Sequence, residues 1–575
     1  MAENKLTGYK LPVNPAQQQG TVAQGFVTPN QDRVPQVQSI PPKRVLPVIF
    51  IPGIMGSNLR MSSERQQQQG AKNNIAWRPD NLSATVPQYN DSASERQLRL
   101  DPLATEVDIY DPNENVTGDP NETADQRNDT VRFSTMYDPL KRLDGPLLQS
   151  DPPRTPNPKT KDQKARERGW GEVYFSSYQD ILSLCELRLN AAFSYGSLNR
   201  YLSKFVVGVE PSKWQAHPTP ALKELGEKRI LEAVKGCWFP VHAMGYNWLR
   251  GNAEAGTTIA KRITVLMATY QEQGFQCEKV ILVTHSMGGL VARAVLHPDI
   301  GNLNDKVLGV VHGVMPAIGA GTAYKRVRCG FEGNGVGAKI LGRVGPDVTA
   351  VLANAQGGLE LLPSQAYGNH WLQAKQKGKL LMSLPENGDP YEEIYKLRGK
   401  WYGLLREEWL NPGRVRGAGF KRTCGLLDRA KDFHNMIANT YHDQSYAHYG
   451  ADAAGPAWHK VVWQIDEDAK LQNVSLLTIS GDSEKGKLTL FDPNLPLGTR
   501  KVPVLVGATL LDPAEPGDQT VPLHSADAQL RSGKFKGIFR QTGYEHQASY
   551  GDSAVLAATI YSLFQIASTM KWTKQ

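Results

Sequence analysis

The stretch VILVTHSMGGLVAR, residues 280–293, constrains the fold more than any other part of the sequence. A short apolar run, Val280–Thr284, leads within about two residues into a segment of small, helix-compatible residues. A strand that turns so sharply into a helix needs small neighbours, and Gly288 and Gly289 supply them on the C-terminal side. The pattern is typical of a turn that presents a nucleophilic serine, and it predicts Ser286 as the nucleophile of a hydrolase.

Thr284 stands where the usual G-x-S-x-G pattern has its first glycine. This departure predicts slightly more open packing between the strand and the helix. The alternative interpretation is that Ser286 is an ordinary serine at the start of a helix. It does not explain why a strand pattern, a tight turn with small residues and a helix pattern follow one another directly around this residue. We expect the neighbouring His285 to pack against the turn.

Several segments around this turn predict a mostly parallel sheet flanked by helices. Apolar strand patterns alternate with helical periodicity at a spacing that indicates right-handed βαβ units. The fold class expected is therefore α/β, specifically an α/β-hydrolase with large cap insertions. The segments are a strand at Val45–Ile51 that ends at Pro52-Gly53, a strand and turn at Trp238–Leu249, a helix at Thr257–Gln273, a strand at Val280–Thr284, a helix at Met287–Leu296, a strand at Val307–Met315, a core strand at Val474–Ser480 and a closing helix at 552–570 capped by Asp552 or Ser553.

Shifts in composition suggest how the chain is divided. Residues 1–44 are rich in Pro, Gln and Asn and predict an extended N-terminal arm. Residues 45–316 and 471–575 predict the hydrolase core, and residues 62–165 within it predict a polar insertion of loops. Residues 317–470 lose the strand–helix alternation and predict a cap or lid.

The partners of Ser286 follow from the chemistry of a serine nucleophile. The hydroxyl needs a base, and the base needs a carboxylate to fix its tautomer. In this fold the chain order is serine, acid, histidine. Asp518 in GDQTVP and His546 in GYEHQ satisfy that order. Asp482 stays open as the alternative acid and His524 as the alternative base.

An oxyanion hole requires two preorganised N–H donors. One should be the backbone N–H of Met287, directly after the nucleophile. The other should come from the loop IFIPGIMG, and we assign it to Ile54, with Met55 as the alternative. A generic turn at this loop is the competing interpretation.

Composition excludes several other classes of protein. The net charge of +8 comes without a long Lys/Arg run, so nucleic acid is not an expected partner. The five cysteines are far apart and form no zinc pattern, and we expect no metal or other cofactor. The acidic stretch 108–129 lacks the spacing of a calcium-binding loop, which favours a solvated loop over a calcium site. The N-terminus lacks the apolar segment of a signal peptide, and no uninterrupted membrane span follows.

Five segments together resemble a family of lipases. They are VIFIPGIMGSNLR, THSMGGLVAR, GLELLPS at 358–364, GDQTVP and the late His546. They are similar to hydrolases of the lecithin:cholesterol acyltransferase-like and GPI-inositol-deacylase-like groups, with Gln519 in place of the second glycine of G-D-G-T-V-P. The resemblance covers less than half of the chain, and its acid aligns with Asp518, which favours Asp518 over Asp482.

With its polar arm and long insertions, the chain resembles antibacterial lipase effectors of type VI secretion systems that carry a GPI-inositol-deacylase-like domain. The resemblance implies an A-type phospholipase, with A1 as one form, that cleaves the membrane phospholipids of a rival cell. It also implies synthesis in the cytoplasm without a signal peptide, delivery by the type VI spike to the periplasm and membranes of the target cell, and a cognate immunity protein. Acyl transfer to an alcohol, or a GPI-inositol-deacylase-like esterase activity, would use the same residues and stays open. A non-catalytic protein that has kept the fold is a third hypothesis.

Overall fold

A computed structural model describes most of the chain. It covers residues 13–15, 21–25, 36–40, 42–80, 86–113, 118–119, 121–132, 147–148, 151, 155–194, 196–333, 336–466, 471, 473–493 and 505–573.

The centre of the fold is a six-stranded sheet in which every neighbouring pair is parallel. Strand Val280–His285 lies inside it, with Val283 opposite Phe50 on one side and Val311 on the other. In spatial order the strands are Val241–Ala243, Val48–Ile51, Val280–His285, Val307–Gly313, Ser445–Gly450 and Phe535–Gln541. The near-continuous apolar runs of the inner strands suit a sheet that is covered on both faces. The expected α/β-hydrolase architecture is confirmed.

Two pairs of long helices cover the sheet. Asn252–Glu272 and Gly288–Leu296 pack on the face to which Ile49, Ile51 and Leu282 point. Phe175–Asn190 and Ser553–Ala567 pack on the opposite face, against Val48, Phe50 and Val283. The alternation of neighbouring residues between the two cores follows from the two-residue period of a strand. Asp552 caps the last helix by accepting the N–H groups of Ala554 and Val555.

The 62–165 segment is not the run of loops expected from its polarity. Its strands Ile75–Trp77 and Thr105–Val107 pair with Leu59–Met61 in a three-stranded antiparallel sheet. Its buried Asp108 lies 2.8 Å from Arg78 and 2.6 Å from Arg127. Buried charges of this kind must be paired, and here the pairing lets a polar segment form a packed unit.

The region expected to be a cap contributes to the central sheet as well. Ser445–Gly450 lies inside 317–470, yet it is the fifth strand of the parallel sheet. The core strand expected at Val474–Ser480 is wrong: Val474–Leu476 is a 3-10 turn, and Thr478–Asp482 is an edge strand of a second sheet. The run at 474–480 is the more apolar of the two, but the hydrophobicity of a strand does not decide which sheet it joins, because that depends on long-range pairing.

That second sheet forms most of the cap and packs beside cap helices Gly321–Cys329 and Gly345–Leu352. Its pairs are antiparallel except Leu372–Gln376 with Val461–Ile465. In spatial order its strands are Lys379–Leu384, Leu372–Gln376, Val461–Ile465, Leu505–Leu510, Lys487–Phe491 and Thr478–Asp482.

Most of the remaining elements are short. The backbone of the N-terminal arm forms strands Val13–Pro15, Thr21–Gly25 and Gln36–Ile40, paired antiparallel, and the rest of residues 1–41 lies outside the described residues. None of the helices in the described ranges has the length and hydrophobicity needed to cross a membrane. The other helices are Ser63–Gln69, Ala93–Arg99, Ala124–Arg127, Lys161–Glu167, Arg200–Phe205, Glu227–Val234, Val336–Leu341, Gln356–Leu359, Phe420–Ile437, Leu523–Ala526 and Ala528–Arg531. The other strand pairs are Arg44–Val45 with Cys237–Trp238, Phe193–Ser194 with Ser197–Leu198, and Asp452–Ala457 with Glu515–Gly517.

Candidate active site

Ser286 lies at the sharp turn between strand Val280–His285 and helix Gly288–Leu296. Its φ of +52° is in the left-handed region, which a non-glycine residue seldom adopts. The turn is held by its N–H, which donates to the carbonyl of Gly313 at 2.8 Å, and by its carbonyl, which accepts from Gly289 at 2.9 Å. A strained residue with firm backbone bonds points its side chain in one fixed direction.

The turn is closely packed despite Thr284. A Cβ on Gly288 would lie 2.4 Å from the carbonyl oxygen of Ile51, and one on Gly289 would lie 2.5 Å from Met315 Sδ. Thr284 itself is fully buried, and its carbonyl accepts the Tyr550 hydroxyl at 2.8 Å. The more open packing expected from Thr284 is therefore not seen, because the close approach is made at the two glycines.

The structure brings Ser286, His546 and Asp518 into one hydrogen-bonded chain. His546 Nε2 lies 2.9 Å from Ser286 Oγ, and His546 Nδ1 lies 2.9 Å from Asp518 Oδ2. All three side chains are buried. Because the ionised Asp518 carboxylate only accepts, Nδ1 carries the ring proton, and Nε2 is then free to accept from the serine hydroxyl.

Asp518 is fixed by its own turn. Its second oxygen, Oδ1, accepts the N–H groups of Thr520 at 3.1 Å and Val521 at 2.6 Å. Its backbone carbonyl accepts the N–H of His546 at 3.0 Å. Gln519 has a φ of +68°, which explains why the related motif has glycine at this position.

The two expected oxyanion donors belong to backbone segments next to the serine. Ile54 follows strand Val48–Ile51 and lines the same cavity as Ser286, and Met287 begins the helix after it. In the described part of the chain, the backbone N–H groups of Ile54 and Met287 have no hydrogen-bond acceptor. Two free N–H donors beside a serine can stabilise a negatively charged oxygen. Met55, the alternative donor, has a φ of +60°, and its carbonyl accepts the indole N–H of Trp77 at 2.7 Å.

The alternative acid and base lie elsewhere. The Asp482 carboxylate binds Arg328 at 2.9 Å and Arg406 at 3.0 Å at the edge of the cap sheet. The His524 ring lies against the backbone carbonyl of Tyr367 at 2.9 Å and stacks on His459. Neither side chain reaches Ser286, so both have structural roles.

His285 has polar contacts as well as the packing role expected of it. Its Nε2 lies 3.0 Å from the backbone carbonyl of His546, and its Nδ1 lies 3.1 Å from the Tyr178 hydroxyl. Burial, with the nearby His546 as a second cause, lowers the pKa of His285 to about 3. The imidazole is therefore neutral across the physiological range.

Three residues that contact the loop 52–55 beside Ser286 were not predicted from the sequence, because they are distant from the recognisable motifs. Trp77, from the 62–165 insertion, binds the carbonyl of Met55. Tyr246 donates its hydroxyl to the carbonyl of Pro52 at 3.0 Å. Tyr178 accepts the N–H of Gly53 at 3.4 Å. A tyrosine or tryptophan in an otherwise ordinary segment gives no local signal of such a contact.

Ser286 opens into an apolar cavity of about 420 Å³ between the core and the cap. The only charged side chains in its wall, within the described residues, are Arg326, Glu332 and Glu545. Arg326 is neutralised by Glu332 at 2.9 Å. The apolar residues of the wall are Ile54, Met55, Trp77, Pro79, Tyr174, Pro316, Ala320, Ala323, Val327, Phe331, Ala338, Ile340, Leu341, Leu352, Leu361 and Val521.

The apolar side chains of the cap divide into two sets. Trp371, Leu372, Trp401, Tyr402 and Trp409 are buried, and all but Trp409 belong to one large hydrophobic cluster that the cap shares with the central sheet. Ile340, Leu341 and Leu352 instead face the cavity. No group of three or more His, Cys, Asp or Glu side chains that could hold a metal ion occurs within the described ranges.

Comparisons with known proteins agree with this geometry. A family model described as a PGAP1-like alpha/beta domain matches residues 244–312, which include the strand, the turn and the helix around Ser286. A solved structure entitled "The crystal structure of Tle4-Tli4 complex" contains a chain that is 29% identical, with a TM-score of 0.71. The alignment covers 92% of this chain and 99% of that chain. No curated protein sequence matches. These findings confirm the resemblance to type VI lipase effectors with a GPI-inositol-deacylase-like α/β-hydrolase domain.

Proposed function

We propose that the chain is a phospholipase that cleaves acyl esters of membrane phospholipids through an acyl-enzyme on Ser286. The observation that carries the proposal is the hydrogen-bonded chain from Ser286 Oγ through His546 to Asp518, at the wall of an apolar cavity. An apolar cavity of about 420 Å³ suits a fatty acyl chain better than a sugar or a peptide.

In the first half of the reaction, His546 Nε2 takes the proton of Ser286 as Oγ attacks the ester carbonyl carbon. Asp518 holds the imidazole in the required tautomer and stabilises the imidazolium. The N–H groups of Ile54 and Met287 stabilise the negative charge on the former carbonyl oxygen. Collapse of this intermediate breaks the ester C–O bond, and His546 returns the proton to the departing lysophospholipid hydroxyl.

In the second half, water attacks the acyl-serine. His546 takes one proton from the water, and the collapse of the second intermediate releases the fatty acid and returns the proton to Ser286 Oγ.

The biological setting belongs to the same proposal. The related chain was solved in a complex with Tli4, and we extend this to the present chain as a cognate immunity protein that blocks the site. Delivery by a type VI spike, and attack on the membranes of a rival cell from its periplasm, follow from the resemblance to this effector group. A-type cleavage, including the A1 position, is part of the proposal.

A comparison of lipid products tests the proposal. We expect the purified protein to release free fatty acid and lysophospholipid from mixed bacterial phospholipid vesicles, as measured by mass spectrometry. Ser286→Ala should lower this release by at least about 10³-fold while the protein stays folded, because the nucleophile is lost. A folded Ser286→Ala protein with full activity would overturn the proposal.

The same experiment with an added alcohol separates hydrolysis from acyl transfer. Acylated alcohol as the main product would assign the chain as an acyltransferase, and release of acyl groups only from GPI-type lipids would assign it as a deacylase. Failure of a fluorophosphonate probe to label Ser286 would favour a non-catalytic protein.

A further inference from the structure

Tyr178 and His285 connect three parts of the active site that are far apart in sequence. Tyr178 lies on helix Phe175–Asn190, His285 ends the strand before the nucleophile, and His546 belongs to the loop before the last helix. Tyr178 and His285 are buried, and their rings are 5.3 Å apart. A chain of polar contacts inside an apolar core restricts how far its members can move relative to one another.

The direction of each hydrogen bond follows from the groups involved. The backbone carbonyl of His546 can only accept, so His285 Nε2 carries the proton and donates at 3.0 Å. Nδ1 of the neutral ring is then an acceptor, and the Tyr178 hydroxyl donates to it at 3.1 Å. The remaining lone pairs of that hydroxyl accept the N–H of Gly53 at 3.4 Å.

Three hydrogen bonds therefore follow one another. Gly53 N–H donates to the Tyr178 hydroxyl, this hydroxyl donates to His285 Nδ1, and His285 Nε2–H donates to the carbonyl of His546. The first of these residues begins the loop that carries Ile54, and the last is the base. Space around the loop is also restricted, because a Cβ on Gly53 would lie 2.9 Å from both His285 Nδ1 and Ser286 Cβ. The loop of the oxyanion donor and the loop of the base are therefore held by one hydrogen-bonded pair of side chains, Tyr178 and His285.

We propose that Tyr178 and His285 form a neutral hydrogen-bonded clamp that positions His546 and the Gly53–Met55 loop relative to Ser286. Both are positioning residues, since neither touches the reacting atoms. The inference rests on the proposed function and adds two residues to it.

The electrostatics require the clamp to be uncharged. His546 becomes positively charged in each transition state, and the centre of the His285 ring lies only 5.1 Å from that of His546. A second positive charge at this distance would oppose proton transfer to His546. Burial keeps the pKa of His285 near 3, which prevents that second charge.

The decisive variant is Tyr178→Phe, and Tyr550→Phe is its matched control. Tyr550 is equally buried and also lies beside His285, with ring centres 6.1 Å apart, but its hydroxyl donates to the Thr284 carbonyl. With a soluble p-nitrophenyl ester, we expect Tyr178→Phe to lower kcat about 10-fold with KM changed less than about twofold, because positioning affects the chemical step. The rate of fluorophosphonate labelling of Ser286 should fall in parallel. Tyr550→Phe should stay within about twofold of the wild type in both measurements.

A second pair of variants keeps the inference testable if Tyr178→Phe does not fold. The amide of His285→Gln retains an N–H donor for the His546 carbonyl, whereas His285→Leu retains none. We expect the Gln protein to keep at least about 10-fold more of the wild-type kcat than the Leu protein at similar melting temperature.

Equal kcat for Tyr178→Phe and wild type, equal losses in the two tyrosine variants, or equal kcat for the two His285 variants would each overturn the clamp. A wild-type protein that neither labels with fluorophosphonate nor hydrolyses esters would instead overturn the proposed function and the clamp with it. The two failures are therefore distinguishable.

Discussion

Ser286 and Gln519 of the candidate site hold backbone conformations that cost free energy. Ser286 has a φ of +52° and Gln519 a φ of +68°, and each such residue costs on the order of 1–3 kcal/mol. Surrounding contacts hold both in place: Gly313 accepts the N–H of Ser286 and Gly455 accepts that of Gln519 at 3.0 Å. A strained backbone that is held by hydrogen bonds fixes the direction of the Ser286 hydroxyl and of the neighbouring Asp518 carboxylate.

Gly288 allows the close approach that this conformation of Ser286 requires. We expect Gly288→Ala to destabilise the protein by about 3 kcal/mol and to abolish activity, because its Cβ would lie 2.4 Å from a backbone oxygen that cannot move easily. Gly425→Ala is the control, since Gly425 lies inside helix Phe420–Ile437 with nothing within 4 Å of the added Cβ. It should stabilise the protein by about 1 kcal/mol. Urea denaturation measures both, and a harmless Gly288→Ala would contradict the geometry.

The two candidate acids can be separated by their amide variants. Asp518→Asn should lower kcat by about 10⁴-fold with little loss of stability, because the amide favours the wrong tautomer of His546. Asp482→Asn should leave kcat within a few-fold but cost about 3 kcal/mol, because it removes the shared partner of Arg328 and Arg406. Steady-state kinetics and thermal unfolding of both proteins provide the test, and the reverse pattern would identify Asp482 as the acid.

Where a residue belongs to a local motif, sequence reasoning selected side chains that the structure brings together. Ser286 was predicted from the turn around it, and Asp518 and His546 from chain order and the GDQTVP motif. Tyr178, Trp77 and Tyr246 could not be predicted, since each acts through a contact with a segment more than 20 residues away. The catalytic roles of Ser286, His546 and Asp518 stay a prediction.

At the scale of elements, the 62–165 insertion helps to build the site. Asp80 accepts the N–H groups of Phe175 at 2.7 Å and Ser176 at 3.1 Å, and so caps the helix that carries Tyr178. Trp77, three residues earlier, binds the loop that carries Ile54. The composition of the 62–165 insertion suggested loops, because charged residues usually lie on a solvated surface. Here some of them are buried in ion pairs instead, as Asp108 is between Arg78 and Arg127.

The cap formed by Asp80 can be tested against another helix cap. Asp80→Ala should cost about 1 kcal/mol of stability and lower kcat several-fold, because the Asp80 carboxylate accepts the first N–H groups of the helix that bears Tyr178. Thr160→Ala removes the capping box of helix Lys161–Glu167, none of whose residues lines the cavity. It should cost a similar free energy and leave kcat unchanged. Equal kcat in both proteins would show that Asp80 serves stability alone.

At the scale of the whole molecule, a buried carboxyl joins the cap to the core. Glu360 follows the cap helices and accepts the N–H of Asn252, at the start of a core helix, at 2.8 Å. Its other oxygen accepts from Gln356 at 2.9 Å. Burial raises the pKa of Glu360 to about 8, so the side chain is protonated in the folded protein at neutral pH.

This gives a pH dependence with a definite sign. Above pH 4.5 the unfolded state releases the Glu360 proton while the folded state keeps it, so the stability contribution falls as pH rises toward 8. Glu360→Gln does not titrate. Relative to the wild type, we expect the free energy of unfolding of Glu360→Gln to increase by about 2.5 kcal/mol between pH 5 and pH 7. Denaturation curves at the two pH values measure this, and a constant difference would show that Glu360 is ionised in the folded protein.

The sequence by itself determined the elements whose signal is local. Four of the six parallel core strands, the turn at Ser286 and the closing helix follow from hydrophobic periodicity and turn chemistry, which are properties of neighbouring residues. Only the tertiary structure decided that Ser445–Gly450 joins the central sheet and Thr478–Asp482 the cap sheet, since strand pairing is a long-range property. It also decided that Asp518 rather than Asp482 lies beside His546, and that Tyr178 meets His285, because contacts between distant segments exist only once the chain has folded.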